Sequence, residues 1–230
     1  AVTTAHPAVI LSDTFAYADG ALTNVSQSKW TTHSGTGSQI KVSAGVITLS
    51  QVASEDVNSL LSGQPYSATG SDVLYASYKV NFSTLPTGAN GGYFAHFKDA
   101  ATGFRGRIYA STNGAGTGSF RIGISSAAGT APSGSIATDL SLNTTYKIVT
   151  RLVVSNAVAT LWLNPTAETD SSVSSSDTGT AVSVASYAFR QSSGATGIGI
   201  LTGADLVVGT PFADAVSYGP PPANPPVINT

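Results

Sequence analysis

The 230-residue chain has no cysteine, which excludes disulfides, thiolate metal sites and a thiol nucleophile. It has no methionine either, not even an initiator, and it opens on AVTTAHPAV without the basic stretch or apolar core of a leader. Ala1 is therefore expected to be a mature end left by removal of a signal peptide. Charge is scarce: 10% of residues are Asp, Glu, Lys or Arg, against about 25% in an ordinary soluble protein. Ser, Thr, Gly and Ala take their place, a bias that predicts a secreted, extracellular or cell-surface protein. The net charge of −2 supplies no field to recruit nucleic acid, so none is expected as a partner. No apolar run approaches the roughly 18 residues that span a bilayer, so membrane insertion is not expected. Also missing are helical periodicity, a fixed-period repeat, a G-x-S-x-G elbow and a D-x-D-x-D-G calcium loop. The Gly-rich stretches 34–38 and 113–119 lack a strand-then-helix context and read as hairpin loops.

What the chain has instead is a series of short alternating segments rich in Val, Ile, Thr, Tyr and Phe, separated by Gly, Asn, Asp and Ser. Strands are expected over 9–15, 39–51, 73–82, 92–98, 104–110, 119–125, 145–154, 159–165, 186–191 and 204–210. This many strands joined by mostly short connections predicts an all-β fold of two stacked antiparallel sheets. Residues 1–8 read as an N-terminal arm, 9–216 as the sandwich, and the Pro-rich 217–230 as a linker or tail that could join a ladder only at an edge.

Several of these segments carry a resemblance. DTFAYADGAL (13–22), Trp30, LYASYKVNFSTLP (74–86), GGYFAHFKD (91–99), GFRGRIYA (103–110), LSLNTTYKIVTR (140–151), TLWLNPTAETD (160–170) and LVVGTPFADA (206–215) together resemble concanavalin A-like lectin/glucanase and laminin-G-like modules of secreted multidomain bacterial proteins. The resemblance implies a two-sheet antiparallel jelly-roll sandwich with its first and last strands side by side. It also implies a curved sheet whose concave face takes the ligand, in a family whose modules bind glycans and include hydrolases and lyases.

One hairpin stands out. In GYFAHFK, strict alternation puts Phe94, His96 and Lys98 on one face; in FRGRIYA it puts Arg105, Arg107 and Tyr109 there. The same parity turns Lys79, Arg121 and Arg190 away from their apolar neighbours, while most Asp and Glu fall in turns. The expected ligand-binding set is Tyr75, Lys79, Phe94, His96, Lys98, Arg105, Arg107, Tyr109, Arg121 and Arg190, forming a groove for a polysaccharide or cell-surface glycan, with Arg suited to acidic sugars. The competing reading is a solvated face whose Arg side chains lie over aromatic neighbours and pair with rim carboxylates.

A lyase would use the same hairpin differently, with His96 or Tyr109 as base, Tyr109 as acid, and Arg105 or Arg107 neutralising a uronate carboxylate. The strand signatures of jelly-roll alginate lyases are absent. A glycosidase would need paired carboxylates, for which AETDSS, with Glu168 and Asp170, is the nearest string. A structural calcium ion, which the resemblance allows, would draw on Asp13, Asp19, Asp205 and Asp214; no other cofactor is expected. A further reading makes the chain a self-assembling or adhesive subunit, joined to identical subunits through its N-terminal arm and Pro-rich tail by strand addition.

Overall fold

The computed structural model describes residues 9–217 apart from 193, 195 and 196. The expected arm, and all of the expected tail beyond Ser217, lie outside the described residues, and so does the reading that joins subunits through them. The described chain is two stacked antiparallel sheets, as expected. The nine-stranded sheet runs in the order Ser172–Ser174, Ala159–Leu163, Thr145–Val153, Val73–Thr84, Ile200–Gly209, Val46–Ser50, Lys41–Ser43 and Gly20–Ala21. Val9–Asp13 pairs with the Leu206 to Gly209 end of the Ile200–Gly209 strand, so the first and last strands do lie side by side. The eight-stranded sheet runs Gly134–Ser135, Ser119–Ser125, Phe104–Ser111, Gly92–Lys98, Ser186–Phe189, Asp56–Leu60 and Thr31–Ser34, with Leu140–Ser141 also paired to Ser119–Ser125.

Alternation explains the core. Leu74, Ala76, Tyr78, Val80 and Phe82 point inward from one sheet, and Phe94, Phe97, Ile108, Phe120, Tyr187 and Phe189 from the other. Their rings interlock edge to face: Tyr78 meets Phe189 at 5.6 Å between centroids and Phe97 meets Tyr187 at 5.0 Å. Trp30 is buried against Phe15 and Phe189 and donates its indole N–H to Asp13. The strand Asp56–Leu60 was not expected from the sequence, because only Val57 in DVNSL packs into the main core.

The outer face of the nine-stranded sheet is partly sealed. The short helix Phe212–Ser217 lays Phe212 and Ala215 on Tyr75, Val149 and Trp162, a small apolar cluster separate from the main core. Among the described residues, no helix is long and apolar enough to cross a membrane.

Candidate functional site

The structure divides the predicted ligand residues between the two sheets. Tyr75 and Lys79 lie on the outer face of the nine-stranded sheet, away from the rest. Tyr75 is under the Phe212–Ser217 helix and donates to Glu168 at 2.6 Å, while Lys79 pairs with Asp205 at 2.7 Å. Phe94 is a second correction: it is fully buried, with its ring against Tyr78 and Phe82 between the sheets. The cause is irregular pairing, since the ladder between Gly92–Lys98 and Phe104–Ser111 shifts register between Tyr93 and Ala95 and again between Ala95 and Phe97. An extra residue in a strand reverses the face of everything beyond it, so Tyr93 emerges on the outer side in place of Phe94.

The neighbouring strand breaks parity too. Gly106 has φ +60°, a left-handed conformation that a side chain would resist, and its absent Cβ faces Phe97, Ala159 and Leu152. This kink puts Phe104 on the outer face with Arg107. Arg105, expected there, is instead opposite Phe97 in the register, with its guanidinium donating to the carbonyls of Thr180 and Phe104 at 2.7 Å each. Its Nε thereby ties the chain at Thr180 to this strand.

What gathers on the outer face of the eight-stranded sheet is therefore a revised group: Tyr93, His96, Lys98, Phe104, Arg107, Tyr109 and Arg190, with Arg121 further along. The His96 ring lies 4.3 Å from Phe104 and 5.7 Å from Tyr93, centroid to centroid. His33, expected in a loop, sits in the edge strand with its ring 6.2 Å from His96. Arg107 and Arg190 lie over the Tyr93 ring at 4.7 and 4.2 Å. Arg121 pairs with Asp139 at 2.8 Å, as the solvated-face reading expects, and Arg190 stands 4.0 Å from Asp56. Among the described residues Arg107 has no carboxylate partner, and its Nε is buried without a hydrogen bond.

Burial does most of the electrostatic work. His96 is fully buried with both ring nitrogens unpartnered; burial first, then Arg107, His33, Arg190 and Lys98, push its pKa well below the imidazole range. His33 is lowered to about 4 by burial and by Lys98, its own backbone hydrogen bond opposing. Burial raises Asp56 to about 6 against the pull of Gln191 N–H and Arg190.

These placements bury the base and acid of the lyase set. A base must touch the proton it takes, yet His96 has no exposed surface, and Tyr109 is buried with its hydroxyl donating to Ala128 O at 2.6 Å. The glycosidase string fares no better. Glu168 is bound by Tyr75 and Arg151 on the other sheet, and Asp170 caps its own turn through Thr166 and Ala167.

Of the calcium set, Asp13 and Asp205 line one cleft with the helix that carries Asp214, but the carboxylates with described partners are already engaged. Asp13 accepts from Phe15 N–H, Tyr17 hydroxyl and Trp30 indole and faces Lys29; Asp19 accepts from Ser43 and Ala44; Asp205 pairs with Lys79; and Asp214 sits on the short helix. Among the described residues no three His, Asp or Glu side chains group as metal ligands. These residues do not fit a calcium ion.

Sequence reasoning missed the residue that builds the site's wall. Asp177, in the Ser/Thr-rich tract, accepts from Ser126, Ala127 and Ala128 N–H at 2.7–2.9 Å and from Ser133 hydroxyl. Burial alone would raise its carboxyl, but these donors outweigh it and hold it at about 2. They fix the 126–133 loop over the sheet, where Gly129 and Thr130 join Gly91, Gly92, Tyr93, Tyr109, Arg190, Ser192 and Gly197 around a cleft of about 190 Å³.

No family model matches the chain, and no curated protein matches it in sequence. Solved structures do. Peanut lectin aligns with a TM-score of 0.52 at 11% identity, over 78% of this chain and 90% of that one. A Lotus tetragonolobus seed lectin aligns at 0.50 and 11%, over 87% and 97%. The chain has the concanavalin A-like jelly-roll fold. At such identity the likeness fixes architecture alone.

Proposed function

We propose that the protein is a secreted, non-catalytic module that binds polysaccharide on the outer face of its eight-stranded sheet. The observation that carries this is the polar cleft walled by the 126–133 loop, where Tyr93, Arg190, Thr130 and Ser192 converge with backbone of Gly91, Gly92 and Gly129. Small residues leave room for a sugar ring, and the hydroxyls, guanidinium and exposed amides supply hydrogen bonds in several directions. The charge-poor, Ser- and Thr-rich composition supports a secreted setting. Burial of His96 and Tyr109 supports binding without turnover.

Affinity electrophoresis through gels of neutral and acidic polysaccharides tests the reading, with each polymer assayed for new reducing or unsaturated ends. At least one polymer is expected to retard the protein without being cut. Thr130 is exposed at the cleft wall, so Thr130→Trp is expected to fill the cleft and abolish retardation with the fold intact. A Thr130→Trp variant retarded as strongly as the parent, or no retardation by any polymer, overturns it.

A further inference from the structure

We infer that the cleft reads an acidic sugar, its carboxylate or sulfate being taken by the guanidinium of Arg190, which lines the cleft, together with that of Arg107, which lies beside Gly129 of the cleft wall on the same Tyr93 ring; this rests on the polysaccharide reading above. Tyr93 carries both guanidiniums on its ring, and Arg107 also lies 5.4 Å from the Phe104 centroid. Stacking fixes the plane of a guanidinium while leaving its N–H edge free, the geometry that a planar or tetrahedral oxyanion accepts in bidentate fashion. Cations outnumber the acids that face them. Among the described residues Lys98 donates to the Asp99 carbonyl, Arg105 donates to carbonyls with the Asp99 carboxylate acting on it, Arg190 has Asp56 at 4.0 Å, and Arg107 has no acid partner.

A crowd of cations on one buried aromatic floor is costly alone and favourable around an anion. Beside that floor, His96 is buried and neutral, with both ring nitrogens unpartnered. The loop wall is fitted to the same guanidinium: a Cβ on Gly129 would stand 2.3 Å from Arg107 Nη1. Sequence position 129 therefore sets where the fork lies.

The test compares polymers that share a backbone and differ in charge: polygalacturonate against its methyl ester, and dextran sulfate and carboxymethyl-dextran against dextran, with polyglutamate as an acidic non-sugar. Acidic glycans are expected to retard the protein more than their neutral counterparts, the carboxylate and sulfate arms telling the two anions apart. Arg107→Gln is expected to weaken this about tenfold or more. Arg107→Lys should restore it only in part, and Gly129→Ala should weaken it with every charge retained. Circular dichroism and melting of each variant separate lost binding from lost fold. Equal retardation by charged and neutral partners, unchanged in Arg107→Gln, overturns the acidic reading and leaves polysaccharide binding standing. Polyglutamate matching the acidic glycans, or Gly129→Ala and Arg107→Lys both binding as the parent does, reduces the effect to unspecific charge and overturns it. Absence of retardation by every polymer overturns both.

Discussion

Replacing Asp177 tests whether one carboxylate holds the wall of the cleft. In Asp177→Ala, three backbone N–H groups and the Ser133 hydroxyl lose their acceptor together. The magnitude follows from the proton: a fall from 3.8 to about 2 in the folded state corresponds to ~2.5 kcal/mol of stability for the ionised group. The carboxylate is only part-buried, so solvent screening reduces this to about 1–2 kcal/mol. For a domain of this size each kcal/mol moves Tm by roughly 2–4 °C, so thermal melting at pH 7 should show a fall of about 2–8 °C. The sign in pH is fixed as well. A depressed carboxyl stabilises above its unfolded value of 3.8, and that contribution is lost as pH falls through about 2. Parent and variant melts should therefore differ fully above pH 4 and converge towards pH 2. Polysaccharide retardation at pH 7 should weaken in the variant at temperatures where it is still folded, because Gly129 and Thr130 are no longer held. A variant that melts with the parent at pH 7, or a gap that persists unchanged at pH 2, would refute the assignment of Asp177 as the loop's anchor.

The remaining predictions use other parts of the molecule. His33, with its pKa lowered to about 4, and His96, lowered well below the imidazole range, stabilise above the unfolded value of 6.5; melts from pH 7 to 4 should show progressive loss, which His33→Gln reduces, with the raised Asp56 acting in the opposite sense. Phe212→Ala removes a ring packed on Tyr75 and Trp162 and should cost about 2–4 kcal/mol by denaturant unfolding. It should leave retardation unchanged at temperatures where the variant is folded, since it lies on the other sheet. Lys79→Ala should likewise bind as the parent does; lost binding there would move the site to the nine-stranded sheet. Gly106→Ala finds room but must adopt φ +60°, so a cost of about 1 kcal/mol or more is expected in the same unfolding assay.

Period-two alternation was enough to determine most strands and the two-sheet architecture, because each strand's inward residues are chosen by their own neighbours. Val73–Thr84, Gly92–Lys98 and Ser119–Ser125 are legible in this way. The same alternation also marked Arg107, Tyr109 and Arg190 as turned away from the apolar face. It failed where the backbone left its regular period. Two register shifts sent Phe94 inward and Tyr93 outward, and the left-handed Gly106 brought Phe104 to the face of Arg107. Nothing local announces such a slip, since it is settled by which partner strand each carbonyl meets. Long-range pairing decided the rest. His33 reaches His96, Asp177 binds the 126–128 amides, and Tyr75 with Lys79 lands on the far sheet, each through strand order that no short stretch encodes. The sequence thus determined how each segment buries itself. Only the tertiary structure decided which cations share a face and which of them has no acid partner among the described residues, because those are properties of strands brought together from distant parts of the chain.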